Sequence, residues 1–224
     1  TLFKGISKLL TGNTLTWRNG EMRIARYWDL ADVRPLRISF DEAKVRFEEM
    51  LMDCVRMRLM SDVPLGAFLS GGVDSSAIVA CMSRISPDPV KTFTVGYADD
   101  PASSELEYAR VVARHFKTEH HEFVLSADDF FESLDLLLKH AEEPLVESAA
   151  VALYRISKLA REHAIVLLSG EGGDEILAGY PLHRLTRSIG RAHAVLNQMP
   201  GALLDLVGPV LVDGNEKKNK YWDW

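Results

Sequence analysis

The feature that most constrains this chain is the stretch of residues 65–80, with the sequence LGAFLSGGVDSSAIVA. It predicts a short apolar strand, a turn with two glycines, and a helix that begins near Val73 or Asp74. Gly71 and Gly72 carry no Cβ, so the backbone there can turn sharply and approach a bound group. The free N–H groups and the positive dipole end of the helix favour an anion. The stretch therefore predicts a phosphate site, and the alternative is an ordinary turn in which Asp74 only caps its helix.

Three common loop types do not fit this stretch. A Walker loop ends in Gly-Lys-Ser/Thr, whereas Gly72 is followed by valine and aspartate. The dinucleotide fingerprint G-x-G-x-x-G is missing from the stretch. Ser70 follows phenylalanine and leucine rather than the Gly-x of a nucleophile elbow, so it is a poor candidate nucleophile.

Strand and helix patterns alternate along most of the chain. Apolar runs predict four strands, at residues 65–69, 91–96, 121–125 and 164–168. Helical spacing predicts five helices, from a capping box at Ser39 and Glu42 to about residue 60, and at residues 74–85, 104–116, 126–140 and 148–163. The last strand is apolar at every position, as expected when helices cover both faces. This alternation predicts an α/β fold with a doubly wound parallel sheet.

A second glycine-rich loop, residues 169–175 with the sequence SGEGGDE, directly follows the last predicted strand. Ligands of open parallel sheets bind beyond the carboxyl ends of the strands, where the strand order reverses. Two such loops could therefore hold one nucleotide. Acids repel phosphate unless a cation lies between them, and Asp74 and Asp174 supply the hard oxygen ligands that Mg²⁺ prefers. The alternative is an ordinary turn with exposed acids.

The two loops together carry a family resemblance. Residues 70–76, SGGVDSS, resemble the pyrophosphate loop of the ATP pyrophosphatases. Residues 169–175, followed by a Gly-Tyr ending at Tyr180, resemble the synthetase domain of glutamine-hydrolysing asparagine synthetases. Three shorter stretches agree with this, at residues 61–64, 93–96 and 119–122. The resemblance covers residues 1 to 190 and implies the adenine nucleotide alpha hydrolase-like (HUP-type) fold of the ATP pyrophosphatases.

The resemblance implies ATP and Mg²⁺ as cofactors, with roles for individual residues. The implied contacts to ATP and its pyrophosphate are Leu69, Ser70, Gly71, Gly72, Asp74, Ser75, Ser76, Val95, Ser169 and Gly170. Asp74 and Asp174 would hold Mg²⁺, and Glu171 would be the catalytic acid tied to formation of an acyl-adenylate. In the family, a carboxylate attacks ATP and releases pyrophosphate, and ammonia then attacks the acyl-AMP to give an amide and AMP.

The acceptor side departs from the family pattern, and this leaves the carboxylate open. Family members commonly have an aspartate, a hydroxyl and a proline near three positions of this chain: Glu147, Ala149 and Ala152. Aspartate is the carboxylate that the resemblance favours as the substrate. The alternatives are a related amidotransferase or cyclase that forms β-lactams or amidates another acid of an antibiotic or polysaccharide, or a non-catalytic ATP-binding module. The intact acids of both loops favour the enzyme.

The resemblance also implies domains and partners. Residues 1–36 would be an interdomain linker and a β-hairpin, with its turn at Asn19-Gly20, left from a missing N-terminal glutaminase domain. Residues 37–190 would form the synthetase domain, and residues 191–224 a truncated helical extension. The implied partners are the carboxylate, ammonia from glutamine, the glutaminase domain and a second copy in a homodimer. The fragment alone should not act on glutamine.

Composition excludes some function classes. The formal net charge is −6 and no dense basic block occurs, which argues against nucleic acid as a partner. No apolar run reaches about 18 residues, so no membrane span is expected. With no signal-peptide pattern, a cytoplasmic location is expected, where Cys54 and Cys81 would be free thiols, buried on helix faces and inert. His120-His121 is predicted to be structural, because further ligands at metal spacing are missing.

Overall fold

The computed structural model describes residues 1–100, 104–141 and 149–196. The chain divides into two units after Gly170. The strands of the first unit are β1 (Asn13–Arg18), β2 (Glu21–Arg26), β3 (Leu65–Phe68), β4 (Lys91–Tyr97), β5 (Glu119–Leu125) and β6 (Val166–Leu168). Its helices are α1 (Phe40–Arg58), α2 (Val73–Ile85), α3 (Leu106–Phe116), α4 (Ala127–Ala141) and α5 (Ala149–Ala160), and a short 3₁₀ helix covers Leu30–Asp32.

Four of these strands form a parallel sheet in the order β5-β4-β3-β6. Residue pairs along the sheet include Phe68 with Phe93 between β3 and β4, and Ala67 with Leu168 between β3 and β6. The chain moves outward from β3 to β5 and then places β6 on the other side of β3. The strand order therefore reverses between β3 and β6, which is where ligands of such sheets bind. The predicted parallel α/β sheet is confirmed.

Helices cover both faces of this sheet, because residues that alternate along the strands enter separate cores. Ala67 and Leu69 belong to a core shared with α1, α2 and α3. Phe68 and Phe93 face the other side, where Ile156 of α5 packs. A third cluster joins Leu125 of β5 to α5 and α4. The sheet is therefore doubly wound, as the alternation predicts.

Serine caps begin two of the helices. The Ser39 hydroxyl accepts the N–H of Glu42 at 3.2 Å, which is one half of the predicted capping box, whereas the Glu42 carboxylate accepts from Arg46 at 2.6 Å. At the start of α4, the Ser126 hydroxyl accepts the N–H of Asp129 at 3.2 Å, and the Asp129 carboxylate accepts the N–H of Ser126 at 3.1 Å. Hydrogen bonds from Ser126 lower the pKa of the Asp129 carboxyl. Local sequence thus fixes where α1 and α4 begin.

Two burial predictions are wrong. Cys54 is exposed, because α1 turns Val55 toward the core and leaves its neighbour outside, whereas Cys81 is buried as expected. The strand at residues 164–168 is not covered by helices along its whole length. Ile165 and Val166 are exposed, because β6 is flanked by β3 alone in the described part of the sheet.

The predicted hairpin is present. β1 and β2 pair in antiparallel register around Asn19 and Gly20, which have φ values of 53° and 87°. Such positive φ values at both central residues are typical of a two-residue hairpin turn. The second unit contains α6 (Gly173–Leu177) and α7 (Pro181–Leu196). Among the described helices, none is long and apolar enough to cross a membrane.

Candidate nucleotide site

The first glycine loop leaves β3 from a fixed position. The N–H of Leu69 donates to the carbonyl oxygen of Phe93 at 2.9 Å, which extends the pairing of β3 and β4 by one residue. The buried Thr94 hydroxyl donates to the carbonyl oxygen of Leu69. Thr94 was not predicted as a site residue, although its place on the neighbouring strand positions the first residue of the loop.

Serine hydroxyls organise the inside of the loop. The buried Ser75 hydroxyl accepts the N–H of Ser70 at 3.2 Å and lies 2.9 Å from the Ser70 hydroxyl. The Ser70 hydroxyl in turn accepts the N–H of Gly72 at 3.2 Å. These contacts hold the turn in one shape, so Ser70 and Ser75 shape the loop rather than standing as free donors.

Ser76 differs from these two serines. Its hydroxyl oxygen is buried and has no hydrogen-bond partner among the described protein atoms. A buried polar atom without a partner is costly unless a ligand or water satisfies it. Ser76 lies in the first turn of α2, where free N–H groups and the helix dipole favour an anion. The hydroxyl therefore fits a phosphate oxygen as its partner.

Gly71 is required by packing against α3. Its φ is +82°, and a Cβ added there would lie 2.5 Å from the Tyr108 carbonyl carbon and 2.6 Å from the Ala109 nitrogen. The sequence predicted that this glycine would let a ligand come close. The structure shows that the space beside it is filled by the backbone of α3, so the glycine lets the loop contact that helix.

Asp74 does not cap its helix. The N-cap of α2 is Gly72, and no side chain makes a capping hydrogen bond there. Asp74 lies in the first turn and is half-buried. The alternative in which Asp74 only caps its helix is therefore wrong, because the Asp74 carboxylate accepts no capping hydrogen bond from the first turn of α2.

The beginning of the second loop packs directly on the first. A Cβ added to Gly170 would lie 2.5 Å from the Ser75 nitrogen and 2.7 Å from the Asp74 carbonyl carbon. Ser169 is exposed and Gly170 is half-buried at the end of β6. Both loops follow the carboxyl ends of adjacent parallel strands. The structure thus brings Ser169 and Gly170 next to the first loop, at the carboxyl ends of the strands.

Val95 lies near the end of β4 and is half-buried between the two clusters on the α5 face. Beyond it, Gly96 passes close to the segment before α3, since a Cβ there would lie 2.8 Å from the Ser104 hydroxyl oxygen. β4 continues to Tyr97, so Val95 lies two residues before the carboxyl end of the strand, the end at which a nucleotide base is expected.

The rest of the second loop belongs to the second unit. Glu171 is exposed, and Gly172 has a φ of +91° with open space beside it. This left-handed residue allows the turn between Glu171 and Asp174 that the two glycines predict. Asp174 is half-buried in the first turn of α6, and its carbonyl oxygen accepts the N–H of Gly179 at 2.9 Å.

The Gly-Tyr ending also has a local role. The Tyr180 hydroxyl donates to the Glu175 carboxylate at 2.8 Å. This hydrogen bond lowers the pKa of Glu175 and raises the pKa of Tyr180, and the charges of Asp174 and Glu171 add to the second effect. A side chain at Gly179 would collide with the Asp174 carboxylate. Gly179 and Tyr180 thus hold the segment that follows Asp174.

Comparison with known proteins gives a consistent result. The asparagine synthase family model matches residues 46–221. A homologue of asparagine synthetase in Methanocaldococcus jannaschii is 37% identical over 166 residues, which cover 73% of this chain and 31% of the relative. The glutamine-hydrolysing asparagine synthetase 1 of Bacillus subtilis is 32% identical over 220 residues, covering 98% of this chain and 34% of the relative.

The chain spans about a third of the length of these curated relatives. Among solved structures, the NH3-dependent NAD synthetase of Campylobacter jejuni matches with a TM-score of 0.42 and 17% identity, over 61% of this chain and 60% of that one.

Proposed function

Because the chain belongs to the asparagine synthase family, we propose that it is the synthetase part of an ATP-dependent ligase that converts a carboxylate into an amide. One observation supports this beyond the family match. Gly170, at the start of the second glycine loop, packs on the backbone of Asp74 and Ser75 in the first loop, at the point where the strand order of the parallel sheet reverses.

ATP is proposed to bind at this edge of the sheet. The pyrophosphate would contact the first loop, where the α2 N-terminus and the partnerless Ser76 hydroxyl offer donors. The adenine and ribose would lie against the ends of β3, β4 and β6. The proposed nucleotide contacts are Leu69, Ser70, Gly71, Gly72, Asp74, Ser75, Ser76, Val95, Ser169 and Gly170.

Asp74 and Asp174 are the proposed Mg²⁺ ligands. Carboxylate oxygens together with phosphate oxygens and water are the donors that Mg²⁺ prefers. The Asp74 carboxylate makes no capping hydrogen bond at the helix N-terminus, so it fits this use. The first loop carries no lysine, and a bound Mg²⁺ would offset the charge of the α- and β-phosphates.

The proposed reaction has two steps. A carboxylate oxygen attacks the α-phosphorus of ATP, the bond to the β-phosphate oxygen breaks, and pyrophosphate leaves. Ammonia then attacks the acyl carbon, AMP leaves with the carboxyl oxygen, and a proton is lost from the nitrogen. Glu171 is proposed to serve adenylate formation and can accept a proton, because carboxylates act as general bases.

Aspartate is the proposed carboxylate. Of the three positions that depart from the family pattern, Glu147 lies outside the described residues. Ala149 is exposed at the start of α5, whereas Ala152 is buried against Leu125 and Val151. β-Lactam-forming and other amidating relatives use the same adenylation, so a panel of acids is needed to name the substrate.

We propose that this chain is part of a longer polypeptide that also contains a glutaminase domain. Residues 1–36 would link a glutaminase domain that releases ammonia, residues 37–190 would be the synthetase domain, and residues 191–224 a helical extension. A homodimer in the cytoplasm is the proposed setting.

Calorimetry tests the nucleotide site. ATP binding should require Mg²⁺, and Asp74→Ala should weaken binding of ATP more than binding of adenosine. Asp88→Ala is the matched control, because Asp88 is an exposed acid beyond the other end of α2. Equal ATP affinity with and without Mg²⁺ would contradict the proposed role of Asp74.

A second pair of variants separates Glu171 from Asp174 in the complete enzyme. Glu171→Gln should lower adenylate formation or amide release by about 10²- to 10⁴-fold while ATP affinity stays within a few-fold, because a general acid-base contribution has this size. Asp174→Asn should instead raise the Mg²⁺ requirement. Full activity of Glu171→Gln, or a loss confined to ATP binding, would show that Glu171 has no chemical role.

A further inference from the structure

A second group of possible metal ligands lies where the parallel strands begin, at the opposite end of the strands from the phosphate loop. Glu119 and His121 lie at the amino-terminal end of β5, and His163 lies in the turn between α5 and β6. One ligand atom from each of these residues lies within 4.8 Å of the other two. The phosphate loop follows the carboxyl end of β3, so this group is separate from the proposed nucleotide site.

The two histidines are held close together. Their ring centroids are 3.9 Å apart with an angle of 28° between the rings, and Nε2 of His121 lies 3.1 Å from the Glu119 carboxylate. Phe93 lies beside both rings, with its centroid 5.1 Å from that of His121 and 6.1 Å from that of His163. Both imidazoles are half-buried, while Glu119 is exposed. The group thus has an apolar floor and an opening to solvent.

The backbone around His163 is also fixed. Its N–H donates to the carbonyl oxygen of Ala160 at 2.9 Å, and its own carbonyl oxygen accepts from the Lys91 ammonium at 3.0 Å. His163 is therefore attached to α5 on one side and to β4 on the other. His121 is fixed by its strand pairing with Phe93. Pre-positioned ligand residues of this kind lower the cost of ordering a metal site.

We propose that Glu119, His121 and His163 bind a divalent transition-metal ion such as Zn²⁺. Two imidazoles and one carboxylate suit Zn²⁺, Ni²⁺ or Co²⁺ rather than Mg²⁺, which prefers oxygen ligands. Three protein ligands leave a fourth position for water. The ion would join the start of β5 to the turn that leads into β6, on the α5 face of the sheet.

Binding requires one local movement. Ligand atoms around a tetrahedral Zn²⁺ lie about 3.4 Å apart, given metal–ligand distances of about 2.0–2.2 Å. The Nε2 atom of His121 lies 3.1 Å from the Glu119 carboxylate, and the three ligand atoms all lie within 4.8 Å of one another, so the ligand atoms need to move by little more than about 1 Å at most. However, the lone pair of an imidazole nitrogen lies in the plane of its ring, so two stacked rings cannot both point a lone pair at one ion. One imidazole must therefore rotate about its bond to Cβ. We expect the 3.9 Å stacking of His121 and His163 to be lost when the metal binds.

This site was missed by sequence reasoning, because its ligands are far apart in the chain. His120-His121 has no metal-ligand spacing of its own, and His163 lies in a turn that carries no motif. Only the parallel sheet, with α5 crossing one face, brings them together. His120 itself takes no part, since its ring faces the α3 side and its Nδ1 lies 2.9 Å from the Thr92 hydroxyl.

Metal titration of the chelator-treated full chain tests the proposal. Zn²⁺ should bind with one saturable site at micromolar or lower concentration, measured by competition with a chromophoric chelator. Glu119→Gln and His163→Gln should each weaken binding by about 10-fold or more, since even partners outside the ligand shell change affinity by 10- to 100-fold. His115→Gln is the matched control, because His115 is exposed on α3 outside the group.

Glu119→Gln keeps the test valid if a histidine variant fails to fold, because Glu119 is exposed at the edge of the sheet. Histidine ring resonances of the wild-type chain give a second readout, since Zn²⁺ should shift the signals of His121 and His163 and leave those of His115 in place. Binding only at millimolar Zn²⁺, or equal affinity in Glu119→Gln and the wild type, would overturn the proposal.

Discussion

The contact between the first loop and α3 predicts the effect of one methyl group at Gly71. In Gly71→Ala the new Cβ would lie 2.5 Å from two atoms of Tyr108 and 2.6 Å from the Ala109 nitrogen. Atoms of a helix backbone cannot rotate away as a flexible side chain can. The substitution must therefore shift either the loop or α3.

Two costs add at this position. An alanine at a φ of +82° loses about 1–2 kcal/mol because its Cβ crowds the backbone in the left-handed region. Overpacking against α3 costs about 1–3 kcal/mol more. The free energy of unfolding should thus fall by about 2–5 kcal/mol, a large part of the total of about 5–15 kcal/mol for a domain.

Gly72→Ala is the matched control for Gly71→Ala. Gly72 has an ordinary φ of −66°, and an added Cβ would lie 3.2 Å from the Ser70 hydroxyl, which needs to shift by only about a few tenths of an ångström. Loss of a glycine N-cap is offset by the lower entropy of the unfolded chain, so the change should stay within about 1 kcal/mol of zero. Urea unfolding followed by far-UV circular dichroism measures both variants. A loss below about 1 kcal/mol for Gly71→Ala would refute the view that α3 fixes this loop.

The cysteines and one ion pair give two further predictions. A thiol reagent should modify exposed Cys54 rapidly and buried Cys81 only on unfolding, since burial raises the pKa of the Cys81 thiol, and equal rates for both would contradict this. The bidentate hydrogen bonds from Arg110 lower the pKa of Glu122 in the folded state, so the stabilisation is present above the pKa of the unfolded chain and is lost as pH falls through the folded pKa. The stability difference between wild type and Glu122→Gln should therefore shrink as pH falls below about 4.3, and a difference that stays constant through that range would contradict the role of the Arg110–Glu122 pair.

Local sequence was sufficient to predict the elements and the two loops. The strands at Leu65–Phe68 and Lys91–Tyr97 are short apolar runs next to glycine turns, and burial of both sheet faces requires this composition. The caps at Ser39 and Ser126 depend on residues three positions away, so they are visible in the sequence as well. Parallel order then follows from the alternation of strands and helices.

Tertiary contacts explain what the sequence could not predict. The apolar residues of α1 occur on several sides of the helix, so helical spacing alone did not decide whether Cys54 or its neighbour Val55 faces the core. The fit of Gly71 against α3 and of Gly170 against Ser75 depends on backbone from distant parts of the chain. The same holds for the pairing of His121 with His163. Such contacts have no periodicity and no motif.

The most direct test of the proposed function is exchange of labelled pyrophosphate into ATP by the full polypeptide that carries this chain. We expect exchange that requires Mg²⁺ and one carboxylic acid from a panel headed by aspartate, because reversible adenylation regenerates ATP from the acyl-AMP and pyrophosphate. Asp74→Ala should abolish it, and Asp88→Ala should leave it intact. ATP binding without exchange for any acid in the panel would contradict the ligase and indicate a nucleotide-binding module.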